Sequence, residues 1–500
     1  MPRPSETGPT KAPKRTAALA AILLGSAGGL ISLPAHGYSA WIQAEHQMQL
    51  YDVGSPGGVI VQRRRQTSSL GFVAENLQGD FDTDEPSLGV VARIRLDADT
   101  GQRNAERNPE QTGAYVPGLE QAPVDLIVAY LEARRLLGGH LNARLGRQLQ
   151  IDALGFWSFD GAWLRLSPLP YLRLEALGGL EPRVGAPGFS SARYSADGVL
   201  RGDREGMPAN LWPEYLDDEK VAPAYGFAVE TPSDLPVSGR LAYRHVISRS
   251  EVVTAILPAP NGPFVTLSSA RTASQRIGGS ARASWQNVGN ARSVAMYDLY
   301  ASRLAEASVE VDALPAPTLT VGASYEYYLP SFDGDSIFNW FAQFPTHDAA
   351  IRSSWEINRR LLAATRTGVR RFGGRDENGR DKFDMAPLFE VTTRLQHAHG
   401  TARIRVSGFS GALRQQMGAG LSADRSIWDE TASVLARFSA FRTQDELSRH
   451  PDWNSYSYML GVEARALPET SLRLEFDHAI NPLVGHRFRV VALLDLAVVR

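Results

Sequence analysis

Beyond residue 40 the chain alternates apolar and polar residues with period two, in segments of about ten residues, and no sustained 3.6-residue period appears. Leu472, Leu474 and Phe476 alternate with Arg473, Glu475 and Asp477. Phe488, Val490, Ala492, Leu494, Leu496 and Val498 oppose Arg487, Arg489, Val491 and Asp495. Val90, Ala92, Ile94 and Leu96 flank Arg93 and Arg95, and Leu319, Val321, Ala323, Tyr325 and Tyr327 flank Thr320, Ser324 and Glu326. A soluble β-sandwich and a membrane barrel share this alternation, because each has one apolar and one wet face.

Three features favour the barrel. The segments run about 9 to 13 residues, the length that crosses a bilayer at a tilt. Connections come in two sizes. Tight turns at Leu136–Gly139, Ser233–Pro236, Arg359–Arg360, His397–Gly400 and Leu467–Thr470 interleave with long polar stretches. Those stretches are Asp97–Pro123, Gly179–Ala222, Ser250–Arg276, Pro330–His347, Phe372–Met385 and Ala412–Ser426, and short turns at one rim with long loops at the other mark a transmembrane barrel. Aromatics gather at segment ends, as in interfacial girdles: Trp41, Trp157 and Trp163, Tyr325 with Tyr327 and Tyr328, Trp453 with Tyr456 and Tyr458. The expectation is an all-β fold, a single transmembrane antiparallel β-barrel over residues 38–500 with about 18 strands, in a range of roughly 16 to 20. No repeat or Pro/Ser-rich linker divides it.

Composition narrows the function classes. The absence of cysteine removes disulfide scaffolds, Cys-ligated zinc and thiol nucleophiles. A formal net charge of -2 removes the bulk field that nucleic-acid binding needs. At the N-terminus, Lys11, Lys14 and Arg15 precede the apolar run Ala17–Leu33 and the small residues around Ala35-His36-Gly37, so residues 1–37 read as a cleaved secretory signal. With no other apolar stretch of spanning length, a mature chain that meets a membrane must do so as a closed barrel in the outer membrane, against its lipid and lipopolysaccharide.

Two motifs stand close together, Leu145-Gly146-Arg147-Gln148 and Phe159-Asp160-Gly161-Ala162, the second leading into Trp163-Leu164-Arg165-Leu166. They resemble the alginate-export family of outer-membrane barrels, whose members share a strand ending in Gly-Arg-Gln, a loop, and a strand opened by Phe-Asp-Gly. The resemblance implies an 18-stranded barrel with an Arg-rich pore for an anionic polysaccharide, and the export reading adds a periplasmic polysaccharide-export protein as a candidate partner. All but four of the 52 basic residues are arginine, and a GC-rich genome alone produces much of such a bias. Placement says more. Arg93, Arg95, Arg144, Arg165, Arg173, Arg240, Arg244, Arg403, Arg405, Arg473, Arg487 and Arg489 sit on the polar parity of candidate strands. Facing lipid at mid-membrane, each would cost about 2–4 kcal/mol, so they are read as lining the pore. Glu132, Glu175, Glu326, Glu463, Glu475 and Asp477 share that parity, and charge ladders that merely brace the wall explain any single arginine as well as selectivity does. Arg147 follows its strand's leucine parity and requires a bulge or a snorkelling position.

Catalytic signals are poor. Gly-x-Ser-x-Gly, P-loop and His-Glu-x-x-His are absent, His397 and His399 lack a third ligand nearby, and Gly418-x-Gly420 lies in an expected loop. No catalytic residue, metal site or cofactor is assigned. The main reading is a channel exporting or passing an anionic or polyhydroxylated polysaccharide, and the alternative a diffusion porin for small hydrophilic nutrients. An outer-membrane enzyme and a periplasmic carbohydrate-binding protein rank below both. The aromatic segment Pro330–Phe341 is a candidate constriction or sugar-stacking loop, weighed against a self-packed surface loop.

Overall fold

The computed structural model describes residues 39–54, 60–78, 85–99, 124–181, 222–248, 252–254, 265–267, 271–331, 344–375, 380–428, 431–445, 452–467, 469–482 and 485–499. The expected signal segment 1–37 and positions 332–343 of the aromatic loop lie outside them. The first strands are β1 (Ser39–Gly54), β2 (Ile60–Glu75), β3 (Ser87–Asp99), β4 (Val124–Leu136), β5 (Leu141–Asp152), β6 (Gly155–Leu169), β7 (Leu172–Glu181), β8 (Ala222–Glu230) and β9 (Val237–Ser248). A small hairpin, β10 (Val252–Thr254) with β11 (Val265–Leu267), stands apart from the main sheet. The wall continues through β12 (Arg271–Trp285), β13 (Gly289–Asp298), β14 (Arg303–Ala316), β15 (Leu319–Tyr328), β16 (Thr346–Asn358), β17 (Leu361–Arg375) and β18 (Asp381–His397). It finishes with β19 (Gly400–Ser410), β20 (Arg414–Ile427), β21 (Ala432–Asp445), β22 (Asp452–Leu467), β23 (Thr470–Asn481) and β24 (Gly485–Val499).

Each wall strand pairs antiparallel with the next wall strand in the chain, β9 with β12 across the small hairpin, and β1 pairs with both β2 and β24, from Trp41↔Val499 to Val53↔Arg487. The sheet is therefore a closed barrel of 22 strands with no free edge at the seam. Among the described residues no helix is long and apolar enough to cross a membrane. The two faces separate cleanly. On one parity stand Leu131, Leu145, Ile351, Leu460, Leu474 and Phe488, fanned out and mostly half exposed or more. On the other stand Glu132, Glu175, Arg244 and Asp348, each less than a tenth exposed although charged. Side chains diverge on a convex wall and crowd on a concave one, so the apolar set faces lipid and the charged set the lumen. The molecule is a membrane-spanning barrel of the outer-membrane kind.

The strand number departs from the expected 18 or so, and the reason is the width of the lumen. At 22 strands, about 4.8 Å apart and tilted roughly 40°, the backbone wall is on the order of 44 Å across, too wide for side chains to fill. Lumen-facing positions then have no need to be large or apolar, and whole strands read as loops. The expected loop Ala412–Ser426 is mostly β20, whose inward positions are Arg414, Gln416, Gly418, Gly420, Ser422 and Asp424. Gly418 is small because the Phe441 ring on β21 occupies the space its side chain would take. The expected loop Phe372–Met385 likewise falls largely within β17 and β18, and β12 takes the end of Ser250–Arg276.

Leu474→Arg or Val490→Arg, on the lipid-facing wall, is expected to lower unfolding stability by about 2–4 kcal/mol in lipid vesicles. Arg473→Leu, on the lumen side, costs under about 1 kcal/mol in the same urea titration. Equal losses would mean the two faces are reversed.

Candidate channel lining

The two sequence motifs meet across the β5–β6 hairpin. Gly146 pairs with Gly161, Arg147 with Asp160 and Gln148 with Phe159. The wall is joined up to that level and no higher. Pairing of β4 with β5 ends at Ala129↔Arg147, and pairing of β6 with β7 ends at Asp160↔Leu180. Beyond it β5 and β6 pair only with each other, as far as Asp152↔Gly155, and the free hairpin folds into the lumen.

Glycine makes the bend possible. Gly146 has φ +131°, and a Cβ there would overlap the Ala129 carbonyl, while one at Gly161 would overlap the backbone at Gly178 and Gly179. Arg147, 4% exposed, latches the bend. Its Nε and Nη2 each donate to one oxygen of the Asp160 carboxylate at 2.6 Å, and its Nη1 donates at 3.0 Å to the Leu126 carbonyl on β4, above the last β4–β5 pair. The bend resolves the parity conflict of Arg147, because the outward side of the wall becomes a buried corner there. Gln148 Nε2 adds a bond to the Gly161 carbonyl at 3.0 Å.

The infolded hairpin packs against the lumen side of distant strands. Trp157 and Phe159 stack on each other at 4.6 Å and 11°, and lie with Trp163 against Ala222, Ala224, Val246 and Ala273 of β8, β9 and β12. Full burial of such rings is worth about 2–3 kcal/mol each, enough to hold a two-stranded tip with few other neighbours. Trp157 and Trp163 therefore belong to this lumen core and not to the interfacial girdle expected of them. At the tip, Leu154 packs with Ala228, Ala242 and Met296, the Leu154 carbonyl accepts from Arg244 Nη2 at 2.9 Å, and Asp152 lies 3.5 Å from Arg240. The opposite side of the hairpin carries Ile151 and Phe156, 75% and 68% exposed to the lumen.

Around this element the lumen wall is a set of ion-pair ladders. All twelve expected pore-lining arginines lie on the lumen parity, but most are matched by carboxylates. Arg93 reaches Glu45 at 3.3 Å, and Arg144 reaches Glu132 at 2.7 Å with its guanidinium between the Tyr130 and Trp163 rings. Arg165, Arg173 and Arg240 converge on Glu175 and Glu230. Arg405 pairs with Glu390, Arg473 with Glu475, and Arg487 and Arg489 with Asp477. Arg244 serves the hairpin tip, stacked 5.1 Å from Trp157, and Arg95 also has a partner.

The sequence reading missed a second ladder, in which Glu310 and Asp312 hold Arg352 and Asp348 holds Arg366 and Arg370. Spacing by two or four along β16 and β17 was its signal, interrupted by Gly368, whose Cβ would overlap the Ala349 carbonyl. Arg352 and Arg366 also border a cavity of about 350 Å³ with Asp312, Glu390, Thr320 and Thr392. One group stands apart from the ladders. Arg394 pairs in register with Arg403, Arg403 with Ser422, and Ser422 with Arg437, and none of these arginines has a carboxylate at ion-pair distance among the described residues. Of the expected lining residues, Arg403 is thus the one that joins an unmatched cationic row, in the half of the lumen near the short turns.

The ends of the aromatic loop contribute as well. Ser331 donates to Asp298, and the Pro330 and Ser331 carbonyls accept from Arg303 and Arg276 at 3.1 and 3.4 Å, which fastens the loop base to the lumen wall.

No protein-family model matches the chain, and no curated protein matches it. Among solved structures it is similar to OccAB4 of Acinetobacter baumannii, with 7% identity and TM-score 0.44 over 93% of this chain and 98% of the other. It is also similar to OccAB1 of that organism, with 9% identity and TM-score 0.42 over 92% and 96% of the two chains. OccK1 (OpdK) of Pseudomonas aeruginosa gives 8% identity and TM-score 0.42 over 92% and 99%. Likenesses this loose assign no role to any residue here. The alginate-export resemblance finds no family match either, and its six residues, Gly146, Arg147, Gln148, Phe159, Asp160 and Gly161, have a local task as hinge and latch of the infolded hairpin.

Arg147→Gln is expected to loosen that latch by about 1.5–3 kcal/mol, the usual loss for hydrogen bonds to a charged partner. Amide exchange over Leu149–Phe159 should then quicken while exchange in β22–β24 stays unchanged. Uniform quickening would assign Arg147 to the barrel as a whole.

Proposed function

We propose that the protein is an outer-membrane diffusion channel for small hydrophilic solutes, with a preference for anions. The observation that carries this reading is the unmatched row Arg394–Arg403–Arg437 on the lumen wall. In the ladders guanidinium and carboxylate cancel locally, which braces the wall and leaves little net field, whereas this row keeps its charge for whatever passes. Arg suits the task, since it stays protonated and its planar fork holds carboxylate or phosphate oxygens in pairs.

Passage of a small solute fits the lumen better than export of a polymer. A long polysaccharide needs a smooth and continuous bore, while the infolded hairpin sets Ile151 and Phe156 across the path and the wall offers a small-molecule-sized recess beside Arg352 and Arg366. Export of an anionic polysaccharide with a periplasmic partner remains the second reading, favoured by the same arginine row. Catalysis is no part of the proposal.

In planar bilayers the purified chain is expected to conduct with anion preference, and the preference should weaken at high salt as lumen charges are screened. Arg394→Gln, Arg403→Gln and Arg437→Gln together should abolish most of it. Arg93→Gln with Arg144→Gln should change it much less, because those two charges are already neutralised. A cation-preferring wild-type pore, or a folded one that never conducts, would overturn the reading.

A further inference from the structure

The outer wall carries a chemistry that passage through the lumen does not use. On the lipid-facing parity, towards the long-loop rim, tyrosine and histidine stand directly opposite each other on paired strands three times: Tyr225 with His245, Tyr327 with His347, and Tyr458 with His478. In each pair phenol and imidazole meet edge to face, at 5.3, 5.1 and 5.1 Å. In each the imidazole Nδ1 shares a hydrogen bond with a tyrosine hydroxyl: Tyr225 at 2.9 Å, Tyr325 at 3.0 Å and Tyr458 at 2.9 Å. On the short-turn side of these pairs the same face is apolar, with Phe227 and Val229, Val321 and Ile351, Leu460 and Val462. The pairs therefore mark the edge of the apolar band. At the other rim exposed Trp285, Trp355 and Trp428 hold the corresponding place, so the two membrane interfaces meet different side chains.

The three pairs differ in what is left for a ligand. His245 Nε2 is taken by Thr272 Oγ1 at 3.1 Å and His478 Nε2 by His486 Nδ1 at 3.1 Å. His347 Nε2 has no protein partner among the described residues. Facing His347 from β15 are Tyr325 and Tyr327, and facing it in register from β17 is Arg371. The next residue on its own strand, Asp348, turns to the lumen and is held there by Arg366 and Arg370, so it does not neutralise this face. The Arg371 guanidinium lies 4.5 Å over the Phe383 ring, itself 6.0 Å from Phe344, and has no carboxylate at ion-pair distance among the described residues.

An unmatched cation on a lipid-facing wall is costly unless it sits at headgroup depth. Arg371 does so. Ten residues separate it from Leu361 at the start of β17, which at about 3.3 Å per residue and a tilt of roughly 45° is about 23 Å, the height of the apolar band.

We propose that this face of β15–β18 binds the phosphate of an outer-leaflet lipid headgroup. Arg371 supplies the permanent charge, His347 Nε2 the second donor, and Phe344 and Phe383 an apolar shelf for the carbons next to the phosphate. The shelf and its continuity with the apolar band select a lipid over free phosphate. Protonation of His347 adds a second positive charge facing the same oxygens, so binding strengthens as pH falls and the imidazole takes up its proton. The inference needs the barrel to sit in a membrane and does not need it to conduct.

The test uses the full chain in nanodiscs of zwitterionic lipid, titrated with lipid A bearing both phosphates and with dephosphorylated lipid A of the same acyl chains. Wild type is expected to prefer the phosphorylated form at least tenfold, and more at pH 5.5 than at pH 8. Arg371→Gln should remove most of the preference, Arg371→Lys should retain it in part, and His347→Gln should remove its pH dependence. Each variant is first checked for the heat-modifiable gel migration of a folded barrel. The wild-type comparison of the two lipids stands even where a variant fails to fold. Absence of any preference in wild type, or equal binding by wild type and Arg371→Gln, would overturn the site. Displacement of lipid A by millimolar inorganic phosphate alone would overturn its assignment to lipid.

Discussion

Everything in this molecule follows from the need to leave no backbone amide or carbonyl unpaired within lipid. A sheet meets that need only by closing on itself, and here the closing seam is the long register between β1 and β24, thirteen residues from Trp41↔Val499 to Val53↔Arg487. The seam joins the first described strand to the last, so β1 and β24 each lack one partner until the whole chain is in place. It also divides the residues into two populations with separate tasks. One parity is restricted to groups that lipid tolerates, and the other is free to carry charge.

The lumen side uses that freedom in two ways. Most of the expected lining arginines are answered by Glu or Asp on the same or a nearby strand, as with Glu132 between Arg134 and Arg144, and Asp348 likewise lies between Arg366 and Arg370. On a concave wall such pairs are crowded enough to lose much of their water, which makes them braces and removes them as a source of field. The Arg394–Arg403–Arg437 row is left unanswered and keeps its field. Two kinds of arginine, equal in the sequence, thus differ in whether their charge is neutralised, through the identity of the residues around them.

The one interruption of the wall has the same root. At the Gly146–Gly161 level the hairpin gives up its pairing with β4 and β7, and the loss is offset by the bidentate Arg147–Asp160 contact, the Arg147 bond to the Leu126 carbonyl, and the burial of Trp157 and Phe159. A barrel too wide to be filled by wall side chains acquires its narrow part by turning a piece of the wall inward.

Alternation determined that the chain is β throughout and which residues share a face, because parity in a strand is a local property that a reader of one segment can see, and segment length with the two sizes of connection made that β structure a barrel with a lipid face and a lumen face. The inward placement of the twelve arginines was legible on that ground, and so was the misfit of Arg147 with its strand. The count of 22 strands was not, since strands such as β12 and β20 bear Gly, Ser and Arg on their lumen side and lose the apolar contrast by which a strand is recognised. Nor could the sequence say which arginine is matched, that Trp157 packs inside and not at an interface, or that His347 meets Arg371. Those depend on cross-strand register and on the direction of one hairpin, set by pairings between residues far apart in the chain and so carried by no single stretch of it.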